Sequence, residues 1–163
     1  MAAATEALPE AVARGRLYCL KPEVDLAVFY DADKRRFVKN GKRYLLELMP
    51  LEKFTSFYIA CPSLGFACGG QPIGGVIFDG AQAHIAVLPE HHGCWTFLLR
   101  PACDWLFKLK PEIKVQLESN NLRAIRFMER NGWKRLDDSC ANVLGEVTYL
   151  MTQQKTKRWL RGR

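Results

Sequence analysis

Apolar positions along the chain follow two periods. Short apolar or alternating runs at 17–20 (LYCL), 64–68, 73–78 (IGGVIF), 83–88 (AHIAVL) and 113–117 (IKVQL) read as strands, and 133–136 and 146–151 as two more. Between 96 and 109 the period lengthens. Phe97, Leu98, Ala102, Trp105, Leu106 and Leu109 form a helical stripe, and Pro101 marks either a kink or a helix start. A second helix opens after Asn121, a good N-cap, carries Leu122, Ile125, Phe127 and Met128, and stops at Asn131-Gly132. A third is predicted over 22–33, with Pro22 in its first turn and the basic Lys34-Arg35-Arg36 beyond its end. Residues 44–60 are ambiguous, with a short helix over 51–58.

Turn chemistry separates these elements. Asn40-Gly41, Gly69-Gly70 and Asp79-Gly80 are turn signals, the last a strong hairpin signal. Gly74-Gly75, inside a strand, marks a bulge or a close backbone approach. The order of strands and helices predicts an α/β (α+β) fold, with a mixed, mostly antiparallel sheet of about six to seven strands and helices on both faces. Residues 1–14 are Ala-rich and expected to be loose, 15–153 to form one domain, and 154–163 a basic tail.

Composition narrows the possible functions. With 163 residues the chain has one domain's length, and 48% hydrophobic and 25% charged residues are globular values. No apolar run is long enough for a membrane span. The start has Glu6 and Glu10 and no apolar core of a secretory signal, so a cytoplasmic setting is expected. The net charge of +7 is concentrated in the tail, where Lys155, Lys157, Arg158, Arg161 and Arg163 occur without an acid. The tail is a candidate contact for nucleic acid or an acidic partner, while the body is almost balanced. The six cysteines include no C-x-x-C pair and read as reduced thiols. His91, His92 and Cys94 lie close together, but zinc needs a second pair from another segment, so no metal is expected. A Walker loop, a dinucleotide fingerprint, a nucleophile elbow and an RRM-type RNA-binding signature are all missing.

The stretch 121–133, NLRAIRFMERNGW, resembles the motif N-x-x-A-(I)-x-(F/L)-Y-x-(K/R)-x-G-F that closes the GNAT N-acetyltransferase fold. Asn121, Ala124, Phe127, Arg130 and Gly132 match, and Trp133 takes the final aromatic position. AHIAVLPEHHGCW resembles the family's fourth strand and following loop, and KVQLESNN its fifth strand. The likeness covers roughly 64–151 plus the first strand and helix, and extends to small GNAT-like proteins encoded by tailed phages.

The resemblance implies an acetyltransferase that passes an acetyl group from acetyl-CoA to an amine and leaves coenzyme A. Acetyl-CoA would lie between the family's fourth and fifth strands, near Val87, Leu88, His92, Gly93, Cys94, Trp95, Thr96 and Asn121. Backbone N–H groups of the loop would grip pyrophosphate at a helix N-terminus. A strand N–H around Leu88 would stabilise the oxyanion, and His84 or Glu118 would act as general base. The chain departs from the family's pattern twice. Trp95 stands where the loop's glycine belongs, with Phe97 on its small-residue position. Met128 replaces the tyrosine whose hydroxyl protonates the departing thiolate, and a thioether has no proton to give. The phage likeness implies an alternative, an inactive GNAT-fold structural or internal virion protein contacting other virion proteins, in the host cytoplasm or the virion.

Overall fold

The computed structural model describes residue 8 and residues 10–153. The basic tail at 154–163 lies outside the described residues, as do residues 1–7 and 9. Two compact units are present. One takes the residues up to Asp79 together with Ile85–Cys103; the other takes Gly80–His84 and the residues from Asp104 onward.

The first unit carries β1 (Glu10–Ala13), β2 (Arg16–Lys21), α1 (Leu26–Lys39), α2 (Tyr44–Leu48), α3 (Leu51–Tyr58), β3 (Ser63–Cys68) and β4 (Gln71–Phe78). β5 (Ala83–Val87) follows and completes a five-stranded sheet of order β1-β2-β3-β4-β5. The pairs from β1 to β4 are antiparallel. Residues 10–13, expected to be loose, pair with β2 in register from Glu10 opposite Cys19 to Ala13 opposite Arg16. The 69–70 turn is tight because Gly69 and Gly70 take φ of +55° and +81°, which side chains resist.

α1 begins and ends later than the sequence predicts. The Asp25 carboxylate caps it by accepting from the Val28 N–H at 3.0 Å, so Pro22 stays outside. The basic stretch continues the helix instead of stopping it, because each cation finds an acid one turn back. Lys34 and Arg35 each reach Asp31 at 2.9 Å, and Arg36 reaches Asp33 at 3.0 Å. The Lys34 ammonium also holds the Asp31 carboxyl below its usual range. The helix ends at Asn40, before Gly41 at φ +72°. The core of this unit joins Phe29 and Ala32 of α1, Phe54 of α3, and Ile77 and Ala86 of the sheet. Phe29 and Phe54 stack with centroids 6.0 Å apart, and full burial of such side chains contributes roughly 1.5–3 kcal/mol each.

α4 (Leu99–Leu109) follows a short 3-10 turn at Thr96–Leu98. Pro101 falls in its first turn, where a missing N–H leaves no helical bond unmade. The second unit carries β6 (Glu112–Glu118), α5 (Leu122–Arg130), β7 (Lys134–Leu136), α6 (Ser139–Val143) and β8 (Glu146–Thr152). Its strands form an antiparallel sheet of order β6-β8-β7. Among the described residues eight strands divide five and three between two sheets, whereas the sequence suggests six or seven in one. Alternation within a strand sets which face is buried, but it carries no information on where a sheet stops.

Candidate active site

The loop after β5 is built from a chain of turns. The N–H groups of His91, His92 and Cys94 donate to the carbonyls of Leu88, Pro89 and His91, at 3.0, 3.1 and 3.1 Å. Gly93 breaks the run with φ +85°, and nothing within 4 Å would meet a side chain there. The Leu98 N–H then donates to the Trp95 carbonyl at 2.8 Å. Among the described residues, the N–H groups of Gly93, Trp95, Thr96 and Phe97 have no acceptor. Four donors thus precede α4, where the helix dipole favours an anion.

The loop is fastened from below by aromatic contacts. The Trp95 ring stacks on Phe66 of β3, with centroids 5.5 Å apart and planes at 30°. Its side chain is thus committed to its own sheet while its amide stays in the loop. Phe97 meets Tyr18 of β2 edge-on at 5.6 Å. The Tyr18 hydroxyl lies 3.1 Å from His91 Nδ1 and also engages the Cys68 and Cys94 thiols. Burial, followed by the hydrogen bond with Cys68, pushes the Tyr18 hydroxyl above its usual value. His92, although exposed, is held back on the strand. Its Nε2 lies 2.8 Å from the Val87 carbonyl, and a carbonyl only accepts, so Nε2 carries the proton.

The backbone beneath the loop is exceptionally close. β4 gains one residue between its pairings of Gly74 with Phe66 and Pro72 with Ala67, which is a bulge at Ile73. Gly74 sits at φ +141°, and a Cβ there would run into the Ala86 carbonyl and the Val87 backbone. A Cβ at Gly75 would strike the Leu64 carbonyl. The bulge and the close approach both occur. They carry one correction: the Leu88 N–H donates to the Ile73 carbonyl at 2.8 Å, so it is not free to stabilise an oxyanion.

His84 lies half-buried at the start of β5. In the second unit, Glu118 ends β6, opposite Glu146 of β8. It is 5% exposed, the one charged side chain that is buried among the described residues, and not a solvated strand end. The Asn121 Oδ1 accepts from the Ala124 N–H at 3.2 Å, so the residue caps α5. Met128 is buried as packing. α5 closes with a paired C-terminal turn, in which the Gly132 N–H donates to Glu129 and the Trp133 N–H to Met128. Among the described residues no three His, Cys, Asp or Glu side chains converge as metal ligands, and no helix is long and apolar enough to cross a membrane.

Tyr18, Phe66 and the stack of Trp95 on Phe66 are not legible in the sequence. Tyr18 and Phe66 are ordinary strand residues in the pattern, and their partners lie 73 and 29 residues away.

No protein-family model matches the chain, and no curated protein does. Solved structures do. The PaiA N-acetyltransferase from Thermoplasma acidophilum, in complex with coenzyme A, superposes with a TM-score of 0.59 at 15% identity, over 83% of this chain and 98% of that one. The GNAT domain of S. lividans PAT gives 0.61 at 16% identity, over 89% and 96%. An N-acetyltransferase from Staphylococcus aureus gives 0.62 at 11% identity, over 83% and 98%. This chain therefore has the GNAT acyl-CoA N-acyltransferase fold.

Proposed function

We infer that the chain is an acyl-CoA-dependent N-acetyltransferase acting on an amine. The observation that carries this reading is the set of N–H donors at Gly93, Trp95, Thr96 and Phe97 before α4. Four amides around a left-handed glycine are suited to a pyrophosphate, since fixed donors meet a charged acceptor. One of the similar structures, the PaiA enzyme, was solved with coenzyme A. Trp95 in the glycine position does not remove a donor, because its ring is held on Phe66.

Bound acetyl-CoA supplies an activated thioester acyl group. This chain's residues hold and orient it. The loop amides would bind the phosphates, and Val87 and Leu88 lead the strand into the loop. Glu118 takes the proton from the acceptor amine, and His84 is the second candidate for that role. A correctly placed base contributes roughly 10²–10⁴-fold. Met128 brings no proton to its position, so any acid must come from elsewhere.

Turnover is the direct test. The full chain is incubated with acetyl-CoA and a polyamine, an amino sugar or a peptide with a free N-terminus, and thiol release is followed. Release above the background rate with one of these amines, lowered about 100-fold or more by Glu118→Gln, supports the reading. Coenzyme A binding without release on any amine would sink it in favour of a GNAT fold kept without its chemistry.

A further inference from the structure

Helix α5 carries a charged feature to which the acetyl-transfer reading assigns no role. Arg123, Arg126 and Arg130 are all exposed. At about 100° per residue they fall within an arc of about 60°, centred about 170° from Met128. The arc therefore faces away from the side that carries Met128, buried at 4% exposure, and Asn121. These arginines and Glu129 line an open basin of about 530 Å³.

The arrangement works against the helix that carries it. Arg123 and Arg126 are like charges three residues apart, and Arg126 and Arg130 four apart, spacings that repel. Arg123 also sits in the first turn, at the positive end of the dipole, and that turn holds no acid. None of the ion pairs among the described residues involves these three arginines. Glu129 accepts from the Tyr149 hydroxyl at 3.4 Å, and Arg130 Nε donates to the Arg126 carbonyl. Arg135 of β7 adjoins the same edge. It stands opposite Tyr149 in register, and both it and Glu129 act on that hydroxyl.

We propose that the arginine face of α5 is a docking surface for the phosphodiester backbone of duplex nucleic acid, read without regard to sequence. Guanidinium forks match phosphate oxygens in pairs. Arg123 and Arg130 lie about 10 Å apart along the helix axis, the axial reach of about three phosphates of one strand. A protein partner would need an apolar or aromatic anchor at the centre of the patch. Single strands would need exposed aromatic rings for stacking. The face provides no exposed ring, because Trp133 is buried and Phe127 packs edge-on against it at 5.8 Å, and the exposed Leu122 lies beside the arc and not among the residues that line the basin.

The test is fluorescence anisotropy of a labelled 20-base-pair duplex with the full chain, titrated from 50 to 200 mM salt. Two unrelated duplex sequences should bind alike. The triple variant R123Q/R126Q/R130Q should bind at least 10-fold more weakly at 50 mM. Its slope of log K against log salt should flatten by about 2.7, three contacts at about 0.9 each. The triple Arg→Lys variant should keep most of the slope, which separates lost charge from lost folding, and melting temperatures verify both. Substituting the five basic tail residues should leave the contribution of the helix intact. Wild-type affinity in the triple Gln variant would overturn the proposal, as would no binding at 50 mM. Polyglutamate competing as well as unlabelled duplex would also overturn it and assign the face to an acidic protein.

Discussion

The loop between β5 and α4 and the helix α5 both resemble signature segments of the GNAT fold, yet they are built in opposite ways. α5 is specified locally. Asn121 bonds three residues ahead, and Gly132 and Trp133 close the last turn on Glu129 and Met128. The loop is specified from a distance. His91 is held by Tyr18, Trp95 by Phe66, and Leu88 by Ile73. A locally specified segment has to keep its motif to keep its shape. A segment held by distant contacts can lose the motif and still present its amides.

Substitutions in the supports of the two segments separate these modes. The largest effect is expected at Gly74, far from the loop in sequence. Gly74→Ala forces a side chain onto the Ala86 carbonyl at φ +141°. It should cost about 3 kcal/mol or more in urea unfolding and weaken coenzyme A binding with it. Full stability would show that the close approach is not needed. Trp95→Gly comes next. Losing the stack on Phe66 should cost about 2 kcal/mol and loosen the amides, so coenzyme A should bind more weakly in calorimetry. Tighter binding would mean that the ring obstructs the site. Tyr18→Phe keeps the ring against Phe97 and removes the hydroxyl beside His91. It should cost about 1 kcal/mol, seen as faster hydrogen exchange confined to the loop. The smallest effect belongs to α5. Asn121→Ala should lose about 0.5–1 kcal/mol, while Asn121→Asp keeps the cap and holds stability within a few tenths. A fall in coenzyme A affinity in the Asp variant would assign the Asn121 side-chain N–H to the ligand.

The same contrast explains what could be read in the sequence. The strands other than β1, the hairpin glycines and the caps of α5 are legible because their determinants lie within a few residues. The end of α1 is not legible, because Lys34, Arg35 and Arg36 look like a stop and only their ion pairs with Asp31 and Asp33 one turn earlier carry the helix on. α6 leaves no clear mark in the sequence, because its cap, Asp138, is recognisable only from its bonds to the Ala141 N–H and the Thr148 hydroxyl. In the candidate site the loop residues were nameable from the motif. Their fastenings were not, since nothing in LYCL singles out Tyr18 as the partner of a histidine 73 residues on. The role expected of the Leu88 N–H failed for the same reason: its acceptor, Ile73, sits at a bulge that alternation does not reveal.

The proposal stands or falls on whether this loop grips a pyrophosphate although Trp95 stands where the resembling motif has glycine. Calorimetric titration of the full chain with acetyl-CoA, beside coenzyme A, tests it most directly. Micromolar binding, about −8 kcal/mol, is predicted for both ligands and should weaken in Gly74→Ala. No heat of binding at millimolar ligand would mean that the loop does not hold the pyrophosphate.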